Sequence, residues 1–126
     1  MKRKSAKAIA TEIKPRFRVM IGSEIALGPG KIQLLRGLEE TGSIRQAAAR
    51  MEMSYMRAWT LVRVMNRSFR TPLVRPVRGG NKGGGAELTP SGRKVLALYR
   101  EMEDEALQAV APTWARLKQQ MRKSVE

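Results

Sequence analysis

The sequence predicts a mainly α fold with small β-hairpins. Apolar residues recur at helical spacing in consecutive short segments between residues 31 and 69, a glycine-rich loop sits between two short strand-like runs, and a long amphipathic stretch follows Thr89-Pro90. At 126 residues, 42% of them hydrophobic, the chain has the size of one domain and can bury one continuous core.

Residues 1–15 (MKRKSAKAIATEIKP) carry four Lys and one Arg with almost no large apolar side chain, which predicts a disordered basic tail. Phe17, Val19 and Ile21 then alternate with Arg18 and Met20, and Gly22-Ser23 offers a tight turn before residues 24–27, so a short hairpin is expected. Gly28-Pro29-Gly30 breaks that pattern. Ile32, Leu35 and Leu38 recur at helical spacing up to Thr41-Gly42, which defines a first helix. Ser43 followed by Gln46 fits a capping box, with Ile44, Ala47, Ala48 and Met51 as the apolar stripe of a short second helix. Glu52-Met53 leaves room only for a sharp joint before Ser54 caps a third helix running to Phe69.

Advancing about 100° per residue, Tyr55, Ala58, Trp59, Val62, Met65 and Phe69 share the side of the third helix that faces the core. Met56, Arg57, Thr60, Arg63, Val64 and Arg67 share the other, which is basic and contains no acidic residue. Thr71-Pro72 stops this helix. Residues 73–77 and 86–88 read as the arms of an edge hairpin, because Pro76 has no N–H to give to a ladder. The loop between them, residues 78–85 (RGGNKGGG), is suited to close backbone approach to a ligand. Thr89-Pro90 opens the last helix, which Pro112 is expected to kink or interrupt, while Trp114, Leu117 and Met121 continue an apolar stripe beyond it.

Composition narrows the function. The chain has no Cys and no His, so disulfides, thiol nucleophiles, imidazole bases and nearly all transition-metal sites are excluded, and neither an enzyme nor a cofactor is expected. The net charge of +14 calls for a polyanionic partner. It is unevenly placed: residues 53–86 hold seven basic residues and no acidic one, whereas residues 91–126 hold seven against five. No apolar run approaches the roughly 20 residues a bilayer span needs, so a soluble cytoplasmic protein is expected, with no membrane partner.

Hairpin, three helices, β-wing and long helix, in that order, make a winged helix-turn-helix with a long C-terminal helix, whose third helix would enter the major groove of double-stranded DNA. Arg57 and Thr60, near the start of that helix, are candidates for base edges, Arg57 by bidentate bonding to guanine. Ser54, Tyr55, Arg63 and Arg67 are candidates for phosphates, as are Ser43, Arg45 and Gln46 at the start of the second helix. Arg78 and Lys82 on the wing would reach backbone or an adjacent minor groove. Tyr55 and Trp59 could stack on bases, but they lie on the core side, and core packing is the simpler role. Lys82 is followed by Gly rather than Ser or Thr and its loop opens into a strand, which rules out P-loop mechanics. Glu101, Glu103, Asp104 and Glu105 read as the exposed side of the last helix rather than a metal site.

The segment SIRQAAARMEMS (residues 43–54) resembles the helix-turn-helix of LysR-type regulators, with its paired alanines and the serine that opens the recognition helix. SYMRAW (54–59), Met65-Asn66 and GGNKGGGAELT (79–89) resemble more closely the N-terminal domain of molybdate-responsive ModE regulators. That resemblance runs from about Phe17 to Val110. It implies a homodimeric transcriptional regulator binding a palindromic operator, with residues 16–90 as the DNA-binding domain and residues 91–126 as a dimerisation element. ModE regulators carry C-terminal molybdate-binding modules, and the sequence ends at Glu126 before one could begin, so molybdate binding by this chain is not expected. Architectural, non-specific nucleic-acid binding is the alternative, favoured by the tail and the charge. A protein-interaction module or enzyme reusing the fold is the third class.

Overall fold

The caps read from the sequence position the helices. The computed structural model describes residues 7–77 and 85–125. Strands β2 (Val19–Ile21) and β3 (Glu24–Leu27) form the first hairpin, turning at Gly22, whose φ of 59° suits glycine. Helix α1 (Pro29–Thr41) has Pro at its first turn and closes on Gly42, which adopts the left-handed conformation and donates its N–H to the Leu38 carbonyl at 2.8 Å. In α2 (Ile44–Arg50) the Ser43 hydroxyl accepts from the Gln46 N–H at 3.2 Å, and in α3 (Tyr55–Ser68) the Ser54 hydroxyl accepts from the Arg57 N–H at 3.1 Å. Each cap satisfies a donor that the helix itself leaves unpaired, typically worth about 1 kcal/mol.

The joint between α2 and α3 is a Schellman turn. Met53 N–H donates to the Ala48 carbonyl at 3.0 Å and Glu52 N–H to the Ala49 carbonyl at 3.1 Å. Its left-handed position, usually glycine, is Glu52 with φ 54°. The turn brings α2 and α3 into the tight pair expected of a helix-turn-helix. Against α1, α2 packs closely enough that a Cβ on Gly37 would stand 3.0 Å from that of Ala47.

Strands β4 (Val74–Pro76) and β5 (Ala86–Leu88) form the wing, in the register Val74↔Leu88, Arg75↔Glu87, Pro76↔Ala86. Its base is fixed from two directions. Ala86 N–H donates to the Gly42 carbonyl at 3.3 Å, next to a bridge between Ser43 and Gly85. The Asn66 amide of α3 accepts from Leu73 N–H at 2.8 Å and Val74 N–H at 3.1 Å, and donates to the Val74 carbonyl at 3.0 Å. Thr89 hands the chain to α4 (Pro90–Lys118): its hydroxyl donates to the Pro72 carbonyl at 2.6 Å and accepts from Gly92 N–H at 3.0 Å. A Cβ at Gly92 would fall 2.2 Å from the Leu73 carbonyl oxygen, so the crossing requires glycine.

The chain divides into two compact units, one of residues 16–101 and one of the described residues before 16 together with those after 101. The first holds the core, in which Ile32, Leu34, Leu35, Leu38, Ile44, Val62, Met65 and Leu73 are fully buried. Such side chains contribute roughly 1.5–3 kcal/mol each. The Tyr99 hydroxyl donates to the Phe17 carbonyl at 2.8 Å, with the two rings edge to face, and fixes the approach to the first hairpin. This is a winged helix-turn-helix with a long C-terminal helix.

In the second unit, the stretch expected to be a tail contributes β1 (Lys7–Ala8), paired antiparallel with β6 (Ser124–Val125), and residues 9–15 have no regular secondary structure. Helix α4 is not interrupted at Pro112 but continues to Lys118. Proline removes one backbone donor there, while the residues on both sides keep the helix propagating. The helix ends before Met121, so the apolar stripe expected to reach that residue stops at Leu117. Among the described residues no helix is long and apolar enough to cross a membrane.

Candidate nucleic-acid interface

The two faces of α3 separate as the angular reading predicts. Ala58, Val62 and Met65 are buried, and Tyr55, Trp59 and Phe69 are half-buried against the core. Met56, Arg57, Thr60, Arg63 and Arg67 are exposed on the other side, with Val64 half-buried. Arg57 and Arg63 meet no carboxylate among the described residues. Arg63 instead reaches the Thr60 hydroxyl at 3.4 Å, and that hydroxyl donates to the Met56 carbonyl at 3.0 Å. The first two turns of α3 therefore present one unneutralised guanidinium, a threonine whose hydroxyl proton is already engaged, and an apolar side chain.

Helix α2 meets this surface through a cation–π contact. The Arg45 guanidinium carbon lies 4.5 Å from the centre of the Tyr55 ring, and the Tyr55 and Trp59 rings meet edge to face at 6.3 Å. At an exposed site such a contact is worth about 0.5–1 kcal/mol. It holds Arg45 beside the start of α3. Gln46 is exposed on the first turn of α2, while Ser43 and Ser54 serve as caps through their hydroxyl oxygens. Each serine keeps its own O–H for an acceptor such as a phosphate oxygen.

At the far end of α3, Arg67 donates to Glu24 of β3 at 2.6 Å. Lys31 belongs to the same cluster and donates to the Ile25 carbonyl. Desolvation holds its ammonium below the ordinary lysine value, with Glu24 opposing that shift and Arg67 adding to it. On the wing Arg75 donates to Glu87 at 2.7 Å, so a basic residue there is neutralised by its cross-strand neighbour. Arg78 and Lys82 lie outside the described residues.

Ser43, Arg45 and Gln46 thus lie at the start of α2 and Ser54, Tyr55, Arg57 and Thr60 at the start of α3, with Arg63 in its third turn, and Arg67 stands apart in an ion pair. Sequence reasoning placed Met56 on this face without singling it out, and it is 72% exposed. It gave no role to Glu24 or Asn66. Glu24 is paired with a residue 43 positions away, for which no local signal exists. Asn66 could have been suspected as a polar side chain one residue beyond the buried Met65.

Residues 30–93 match the signature of the bacterial regulatory helix-turn-helix proteins of the lysR family. The chain is 40% identical over 96 residues to the molybdenum transport protein ModE of Azotobacter vinelandii, covering 76% of this chain and 36% of that protein. It is 42% identical over 77 residues to the molybdenum-pterin-binding protein MopB of Rhodobacter capsulatus, covering 61% of this chain and 28% of that one. With the DNA-binding transcriptional dual regulator ModE of Escherichia coli K12 the identity is 39% over 71 residues, 56% of this chain and 27% of that protein. The matched stretch thus spans about a third or less of each relative's length.

Proposed function

The chain belongs to the lysR family of bacterial regulatory helix-turn-helix proteins, and on that premise we propose that it is a sequence-specific transcriptional regulator of the ModE type, acting in the cytoplasm as a homodimer on a palindromic operator. One observation carries the reading: the start of α3 exposes Arg57 without a carboxylate partner among the described residues, with Arg45 stacked on Tyr55 and Arg63 exposed further along the helix. Helix α3 lies in the major groove, where Arg57 bonds bidentately to guanine. Ser54, Tyr55 and Arg63 contact phosphates beside it, and Ser43, Arg45 and Gln46 do so from α2. Arg67 joins them once a phosphate displaces Glu24, and Arg78 and Lys82 extend the contact from the wing. The dimer is held by the apolar stripe of α4, and the unevenly placed charge supplies the salt-dependent attraction. Molybdenum, which two of the relatives' names invoke, has no role assigned to it in this chain.

Selection of bound duplexes from a random pool at about 150 mM salt, where non-specific contacts are weakened, tests this reading. The expected result is an inverted repeat with half-sites about one helical turn, or a multiple of it, apart. The net charge of +14 favours a second reading, architectural binding without base preference. Binding at low salt with no enrichment from the pool would establish that reading and overturn the first.

A further inference from the structure

Met56 is the most exposed large apolar side chain among the described residues, at 72%. It occupies the second position of α3, and its neighbours on the same face are Arg57 and Thr60, both exposed. Single exposed hydrophobics are ordinary on protein surfaces. The surroundings of this one are not: it shares its face of α3 with Arg57, Arg63 and Arg67, and the helix itself contributes no acidic residue. Thr60 adds to its apolar character, because the Thr60 hydroxyl donates to the Met56 carbonyl at 3.0 Å and accepts from Arg63 at 3.4 Å, which leaves the methyl as its unengaged part. The centre of the face thus consists of a thioether chain and a methyl group framed by guanidinium groups.

Among the base edges of the major groove, the apolar feature is the C5-methyl of thymine. We propose that Met56, with the Thr60 methyl, reads a thymine methyl adjacent to the base that Arg57 reads, and so determines specificity at a position where no hydrogen bond is made. This rests on the assignment of α3 as the groove-reading helix. Arg57 and Met56 then divide recognition between them. The guanidinium selects by hydrogen-bond pattern, and the thioether selects by the methyl that separates thymine from uracil. Thr60 contributes through its carbon branch, so its role survives exchange for valine and not for serine.

The experiment uses the full chain and the duplex that the pool enriches. Each thymine of a half-site is replaced singly by uracil, and the dissociation constant is measured for the unaltered chain and for Met56→Ala, Thr60→Val and Thr60→Ser. Burial of one methyl predicts that uracil weakens binding about 4-fold at one or two positions next to the Arg57-dependent base. Met56→Ala should weaken the thymine duplex by a similar factor and lose most of the thymine-to-uracil ratio, as should Thr60→Ser in smaller measure, while Thr60→Val keeps the ratio. Thermal unfolding of the variants should be unchanged, since Met56 and Thr60 are both exposed. Indifference of the unaltered chain to uracil at every thymine would overturn the inference, as would a full ratio in Met56→Ala. If the enriched duplex depends on Arg57 and uracil has no effect, this inference alone fails. If the pool yields no preferred duplex, it falls together with the proposed function.

Discussion

At the start of α3, Arg57 is exposed without a carboxylate partner among the described residues, and its neighbour Met56 is exposed as well. At the end of the same helix Arg67 is paired with Glu24 at 2.6 Å, and the Asn66 amide bonds Leu73 and Val74 where the wing begins. One helix therefore has a free end and a tethered end. Substitution at the free end should alter binding and leave stability alone. Substitution at the tethered end should alter stability or the general strength of binding and leave base preference alone.

The strongest test of that contrast is Asn66→Ala. It leaves the N–H groups of Leu73 and Val74 and the Val74 carbonyl without the partner they have now, and should cost about 2–3 kcal/mol of stability by chemical denaturation. Binding should weaken alike for preferred and altered duplexes, because the wing loses its anchor and the reading face does not. Next in size, Arg57→Ala should cost about 1–3 kcal/mol in binding the preferred duplex and relax the preference at one position. Its unfolding midpoint should stay within about 0.5 kcal/mol of the unaltered chain, as expected for an exposed side chain.

Glu24→Gln addresses the tether itself. The pair it breaks is solvent-exposed and worth at most about 1 kcal/mol, so stability should barely move. No longer held by Glu24, Arg67 should tighten binding to all duplexes alike, while the slope of log K on log salt, which counts the phosphates contacted in the complex, stays the same. Unchanged affinity would mean that Arg67 does not reach DNA. The smallest effect is expected at the joint between α2 and α3. Glu52→Gly relieves a left-handed backbone that costs a side-chain-bearing residue about 1–2 kcal/mol and gives back part of that through a more flexible unfolded chain. A net gain of about 0.5 kcal/mol in stability, with binding unchanged, is the expected balance.

The free end was legible in the sequence and the tethered end was not, for a physical reason. Ser43 and Ser54 announce helix starts because a cap is a local device, completed within three residues. The faces of α3 follow from helical period alone, and they are what place Arg57 and Met56 together. The Glu24–Arg67 pair, the Asn66 bonds to β4 and the stacking of Arg45 on Tyr55 form between elements, and neither composition nor period encodes which side chains will meet there. The pairing of Lys7–Ala8 with Ser124–Val125 lies further beyond such reasoning, since it joins opposite ends of the chain. Pro112 marks the limit of propensity: of the kink or interruption expected there, the interruption does not occur, and a local cost of about 3 kcal/mol is outweighed within a 29-residue helix.

In the proposed function the first turns of α3 read bases. Repeating the random-pool selection with Arg57→Lys tests it most directly, because the substitution keeps the charge and removes the planar fork that matches guanine. The expected result is an inverted repeat that is unchanged except for loss of the guanine preference at one position in each half-site. An unaltered motif would contradict it, and would place base reading elsewhere on the molecule.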